Sequence, residues 1–152
     1  MKILVAIDSS PHADGILDQV ASRAWTKDTE FRIITATETT GHWDADDQYS
    51  NLCRVILNER TRRLAERMGN DLKISGEVIE GSASTVIIKA AKDWHADLII
   101  IGSHGDTGVR KAGIGSVAAA VVNESPCSVE VVKIHRARGQ KPKALASAKT
   151  NS

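Results

Sequence analysis

A chain of 152 residues is one domain's worth, long enough to bury a real core, and 41% hydrophobic with 26% charged residues is an ordinary soluble composition. A formal net charge of +1 excludes a strong overall field for nucleic acid, and a single Phe and a single Tyr exclude an interleaved aromatic platform for single strands. The charge is uneven, however. Arg136, Arg138, Lys141, Lys143 and Lys149 stand together without an acid, which leaves 15 of the 20 basic side chains against 19 acids, a net of −4, in the body of the chain. No apolar run reaches the length of a membrane span, and Ile3-Leu-Val-Ala-Ile7 is too short for a secretory signal. Cys53 and Cys127 form no Cys-x-x-Cys pair and suit a reducing cytoplasm, where they read as small buried hydrophobes.

Lys2 to Ile7 reads as the first strand. Asp8-Ser9-Ser10-Pro11 follows, with Ser10 placed to cap a helix and Pro11 at its first position. Ile16, Leu17, Val20, Ala21 and Ala24 recur at helical spacing, so a βα unit opens the chain. In open parallel sheets ligands bind at the carboxyl ends of strands, which is where Asp8 lies. Asp8 has two readings, a ligand contact or an Asx turn and helix cap. Phe31 to Thr37 reads as the second strand, and Gly41 to Tyr49 as a polar loop. His42, Asp44, Asp46 and Asp47 in that loop are either metal-ligand types without a defined spacing or acids leading into a helix N-terminus. Leu52, Ile56, Leu57, Leu64, Ala65 and Met68 predict a helix ended by Gly69-Asn70, with Arg54, Arg60, Arg62, Arg63 and Arg67 on its solvated faces. Leu72 to Ile79 reads as the third strand. Gly81-Ser-Ala-Ser84 starts a helix with Val86, Ile87, Ala90, Ala91 and Trp94 on one side.

Ala96-Asp-Leu-Ile-Ile-Ile101 is a short β-branched run that reads as a strand buried on both faces. It feeds Gly102-Ser-His-Gly105, then nine residues, then Gly115-Ser116, and Val117 to Val122 reads as a short helix. Backbone N–H groups at a helix N-terminus lack internal partners and attract anions. Gly102, Gly105 and Gly115 permit close approach of a ligand or positive φ, and Ser116 offers a hydroxyl to a phosphate or to the helix end. Arg110 and Lys111 add charge within the loop. The alternative is a glycine-rich turn with no ligand. Asn123 to Ser128 breaks the helix and Val129 to Ile134 forms the last strand, where Glu130 and Lys133 either protect an open edge or leave it free to pair. Residues 136–152 are basic and lack apolar periodicity, as a disordered tail does. The alternation of strands and helices predicts an α/β fold, an open parallel five-stranded sheet with helices on both faces. The first strand is not followed by the Gly-x-Gly-x-x-Gly of dinucleotide folds.

The Gly-x2-Gly-x9-Gly-Ser spacing and the segment Asp97-Leu-Ile-Ile-Ile-Gly-Ser-His-Gly-Asp-Thr-Gly108 resemble the universal stress protein family in its ATP-binding branch. The resemblance covers about residues 1–134, and it implies an adenine-nucleotide-hydrolase-like fold over residues 1–135 with the tail outside it. It implies that Ala6, Ile7, Asp8 and Ala36 hold the adenine–ribose end of a nucleotide, and that Gly102, Ser103, Gly105, Gly115, Ser116 and Val117 hold the phosphates. The expected ligand is ATP, with AMP or ADP as shorter alternatives and Mg²⁺ travelling with the phosphates. Ala118 departs from the Ser or Thr common in the family, at a cost of about 1 kcal/mol if one hydrogen bond is lost. Ala36 stands where Val is frequent, and Ser128 replaces the second Pro of a Pro-Cys-Pro-Val segment. The family's last strand often pairs with its copy, so a homodimer through about residues 128–134 is expected. The function so implied is an ATP-binding regulatory module of the stress response. Its alternatives are slow ATP hydrolysis, with His104 as the candidate base, and a nucleotide-free dimeric stress adaptor acting through protein contacts. Neither a membrane nor a nucleic-acid partner is expected.

Overall fold

A computed structural model describes residues 1–105 and 113–134, the side chain of Asp44 apart. Its strands are β1 (Lys2–Ala6), β2 (Glu30–Thr37), β3 (Lys73–Glu80), β4 (Leu98–Gly102) and β5 (Ser128–Val132). Between them run α1 (His12–Ala21), α2 (Trp43–Met68), α3 (Ala83–Trp94) and α4 (Ser116–Glu124). The strands form one sheet, ordered β3-β2-β1-β4-β5 and parallel throughout. The predicted α/β layout is therefore present, with each strand within two residues of its expected bounds.

Alternation along the central strands divides the core in two. Ile3 and Val5 of β1, Ile33 of β2 and Ile100 of β4 face α1 and α2, packing with Ile16, Leu17, Val20, Leu57 and Leu64. Leu4 and Ala6 of β1, Ile34 of β2, and Ile99 and Ile101 of β4 face α3 and α4, packing with Val86, Ile87, Ala118 and Val121. Both faces of β1 and β4 are thus covered, which is why these strands read as unbroken apolar runs. The helix after β1 lies on one face of the sheet and the helix after β4 on the other. Those two strands are neighbours, with Ala6 beside Ile101, so a crevice opens beyond their carboxyl ends.

Several expectations change. Ala24 lies beyond the end of α1 and is exposed. Ser10 does not cap α1 with its side chain. The stretch Gly41–Tyr49 is not all loop, because α2 begins at Trp43. The reason is Asp46, whose carboxylate reaches back to accept from the amides of Thr40 (2.9 Å) and Gly41 (3.1 Å) and from the Thr40 hydroxyl (2.7 Å). These bonds fix the entry to α2 and hold the Asp46 carboxyl below its usual range. Leu52 is 55% exposed, and Cys53 takes the inward place beside Leu57 and Leu64. Arg62 and Arg63 are exposed and pair with Glu59, as solvated faces do. Arg60 differs, with its side chain only 11% exposed. Trp94 is half-buried, its ring flanked by the Arg32 guanidinium at 4.7 Å and the Lys2 ammonium at 5.6 Å. Glu130 forms a two-pronged ion pair with Arg23, which follows the C-cap of α1. The tail 136–152 lies outside the described residues.

Candidate functional site

The loop from β1 to α1 is built around Asp8. Its Oδ1 accepts from the Ser10 amide (2.9 Å) and the Ser10 hydroxyl (2.5 Å), forming an Asx turn. The Ser10 hydroxyl is spent there, which explains why it leaves α1 uncapped. The Asx reading of Asp8 is therefore realised, yet it occupies only Oδ1. Oδ2 faces Gly105 across the crevice, where a β-carbon would lie 3.2 Å from it. Behind the loop stands Arg60 of α2. Its Nη1 donates to the Asp8 carbonyl (2.9 Å), its Nη2 to the Ser10 carbonyl (2.7 Å) and its Nε to Asp14 Oδ1 (3.0 Å).

The loop from β4 to α4 is held at both ends. The Ser103 amide donates to Val132 O at 2.9 Å, extending the β4–β5 ladder by one residue. The Ser103 carbonyl accepts from the Gly115 amide at 2.6 Å, which brings the far end of the loop back to the strand tip. Gly115 is the N-cap of α4, and Ala119 is the first residue to donate to it, so the amides of Ser116, Val117 and Ala118 precede the intrahelical ladder. Gly102, Gly105 and Gly115 all have φ outside the left-handed region. Their common requirement is space: a β-carbon at Gly102 would lie 2.9 Å from Ile16 Cδ1, and one at Gly115 would lie 3.1 Å from the Ser103 carbonyl oxygen. The Ser103 hydroxyl lies 3.1 Å from His104 Nδ1. Arg110 and Lys111 fall outside the described residues.

The two loops enclose a cavity of about 880 Å³, within the size range of sites for small molecules and cofactors. Ala6, Ile7 and Asp8 line it from β1, Ala36 from β2, Gly102, Ser103 and Gly105 from the tip of β4, and Gly115, Ser116 and Val117 from the start of α4. All ten residues expected from the sequence to contact a ligand therefore stand around one space. The floor is apolar, with Ile16, Ile34, Ile87 and Ile101. Among the described lining residues the acidic side chains are Asp8 and Glu38, and there is no lysine or arginine. The anion-attracting part of the wall is accordingly backbone, the free amides at the start of α4 with the Ser116 hydroxyl beside them.

Four contributors were not anticipated. His12, Glu38 and Tyr49 also line the cavity, with the Tyr49 hydroxyl 3.3 Å from Ser9 Oγ. Nothing in their spacing marks them, because they meet only when α1, β2 and α2 are packed. The fourth, Arg60, does not line it but holds the loop that does. Its signal was visible: three residues after Leu57 and four before Leu64, it falls on the apolar stripe of α2. Among the described residues no three His, Cys, Asp or Glu side chains gather as a metal site.

The model of the universal stress protein family matches residues 1–133. Universal stress protein A homolog 2 of Coxiella burnetii is 31% identical over 140 residues, which span 88% of this chain and 94% of that protein. Among solved structures, the hypothetical protein MJ0577 superposes with a TM-score of 0.74 at 24% identity, over 90% of this chain and 97% of the other; MJ0577 is a universal stress protein of Methanocaldococcus jannaschii. A universal stress protein family protein of Arabidopsis thaliana, At3g01520, solved with AMP bound, superposes with a TM-score of 0.63 at 14% identity, over 95% and 97% of the two chains. These superpositions show a common fold. With the family model spanning the whole sheet and both crevice loops, the chain belongs to the universal stress protein family.

Proposed function

We propose that this protein is an adenine-nucleotide-binding regulatory module of the stress response, taking ATP, or AMP or ADP, in the crevice between β1 and β4. One observation carries the reading: the ten residues named above, drawn from four separate segments, border a single cavity of about 880 Å³ with the open end of α4 on its wall. The Arabidopsis relative holds AMP, which is consistent with a nucleoside phosphate as the ligand class. In this reading Ala6, Ile7, Asp8 and Ala36 face the nucleoside, with Asp8 Oδ2 as the acceptor for its ribose hydroxyls. The amides of Gly105, Ser116 and Val117 and the Ser116 hydroxyl face the phosphates. The Gly115 amide is not available to them, because it is bonded to Ser103; Gly115 serves by closing the loop. With a di- or triphosphate, Mg²⁺ would travel with the ligand and would supply charge neutralisation, since among the described residues no His, Cys, Asp or Glu cluster would hold it alone.

Rapid phosphoryl transfer needs a base or water-orienting group that is itself held in place. Among the described residues the His104 ring bonds to the Ser103 hydroxyl and not to a carboxylate, so the reading is binding, with slow hydrolysis at most. Among the described residues β5 pairs on one side, with β4, and its other edge suits a second copy, giving a homodimer through residues 128–134. A cytoplasmic location fits the two free cysteines. No described helix is long and apolar enough to cross a membrane.

The test is direct. Freshly purified protein is denatured and the released small molecules are assayed. Co-released AMP, ADP or ATP is the expected result. An empty protein that also ignores added AMP and Mg-ATP would favour the nucleotide-free adaptor instead.

A further inference from the structure

We propose that Arg60, a helix residue outside the cavity wall, is the positioning residue for Asp8 and sets the affinity of the site through it. The proposal rests on the nucleotide reading of the cavity. Packing alone does not explain where Arg60 stands. On α2, Cys53, Leu57 and Leu64 are 1–2% exposed, and Arg60 lies on the same face with a side chain only 11% exposed. Burying a guanidinium costs free energy unless its donors are satisfied. All three of the bonds that satisfy it run to the β1–α1 segment: to the Asp8 carbonyl, the Ser10 carbonyl and the Asp14 carboxylate.

The two carbonyls decide how the loop is turned. Asp8 and Ser10 follow a strand whose last ladder bond is from the Ile7 amide to Ile34 O at 3.0 Å. Past that point the sheet no longer fixes the peptide planes. The forked guanidinium takes over, because two parallel N–H groups accept only one relative orientation of the two carbonyls. With both carbonyls turned back toward α2, the Asp8 side chain is free to project forward, where Ser10 grips Oδ1 and leaves Oδ2 opposite Gly105. A neutral side chain at 60 would lose the fork while leaving Asp8 itself intact. The carboxylate would then sample several directions, and its contact to a ribose would carry the entropy of fixing it. Arg60 does not line the cavity, so its effect through the loop is separated from the through-space effect of its charge by whether it depends on Asp8.

The experiment is a double-mutant cycle on affinity, read by titration calorimetry with AMP and with Mg-ATP. Wild type, Arg60→Gln, Asp8→Ala and the double variant are compared at a temperature where each is folded by circular dichroism. The expected result is an affinity loss of about tenfold for Arg60→Gln in the presence of Asp8, falling to less than about twofold when Asp8 is already alanine. A merely structural Arg60 would lower the melting temperature and leave the affinity of the folded fraction unchanged, or would weaken it equally in both backgrounds; either result overturns the proposal. Should Arg60→Gln fail to fold, Arg60→Lys keeps the charge but offers one head to two carbonyls. It is expected to weaken binding several-fold, and unchanged affinity there overturns the proposal too. Absence of nucleotide binding by the wild-type protein would sink the nucleotide reading itself, and this inference with it.

Discussion

The Gly115 amide donates to the Ser103 carbonyl at 2.6 Å, so the residue that opens α4 is tied to the tip of β4. Ser103 is itself anchored, its own amide bonded to Val132 of β5. A β-carbon at Gly115 would lie 3.1 Å from that carbonyl and 3.6 Å from His104 Cα, both backbone atoms. Gly115→Ala is therefore expected to open the latch and destabilise the fold by about 1–3 kcal/mol, although its φ of −68° suits alanine. Urea denaturation measures the loss. A variant as stable as wild type would show that the loop closes without this contact.

A second glycine lets α2 lie close on β3. A β-carbon at Gly76 would stand 2.5 Å from Thr61 Oγ1 and 3.2 Å from Leu57 Cγ. Gly76→Ala is expected to cost about 1–3 kcal/mol by overpacking. Thr61 Oγ1 is itself buried with no hydrogen-bond partner. Thr61→Val removes that unsatisfied hydroxyl at nearly constant shape and is expected to be neutral or to stabilise by up to about 1 kcal/mol. Chemical denaturation of both variants checks the pair. Opposite signs from those expected would mean that the α2–β3 contact has room for a methyl group and that the Thr61 hydroxyl is satisfied.

The Arg23–Glu130 pair predicts a pH dependence. The hydrogen bond from Arg23 holds the Glu130 carboxyl below its usual range. A depressed folded-state pKa contributes stability above the unfolded pKa of a glutamate, and that contribution is lost as pH falls through the lower folded value. Both side chains are about one-third exposed, 34% each, so the coupling is expected to be at most about 1 kcal/mol at neutral pH. It should vanish once Glu130 is protonated. A double-mutant cycle with Arg23→Gln and Glu130→Gln, run at pH 7 and in strong acid short of unfolding, measures it. A coupling that grows as the solution is acidified would contradict the assignment.

The fold was legible in the sequence because its signals are local. Unbroken runs such as Leu98 to Ile101 belong to strands covered on both faces, and the 3.6 period of α3 survives into Val86, Ile87 and Ala91. The crevice residues were legible because glycine spacing and strand ends are local too. What escaped is what depends on reach. Asp46 turns back six residues to start α2, so a polar stretch became helix. Arg60 reads as surface because a charged side chain on a helix usually is, although its place on the apolar stripe points inward. Ser10 looked like a helix cap, but the nearer carboxylate of Asp8 took its hydroxyl. The roles of His12, Glu38 and Tyr49 on the cavity wall follow only from three elements meeting.

The central claim is that the ligand's phosphates pass between Gly105 and the first turn of α4, in view of the Asp8 carboxylate. Gly105 has its φ outside the left-handed region, and the nearest atom to a β-carbon there is Asp8 Oδ2 at 3.2 Å. A valine at this position places its branch beside Asp8 Oδ2, at the mouth of the passage. Calorimetric titration of AMP and Mg-ATP into wild type and folded Gly105→Val should give uptake by the first and an affinity weakened by at least about tenfold in the second. Equal heats and equal affinities in the two proteins would place the nucleotide, if there is one, somewhere else.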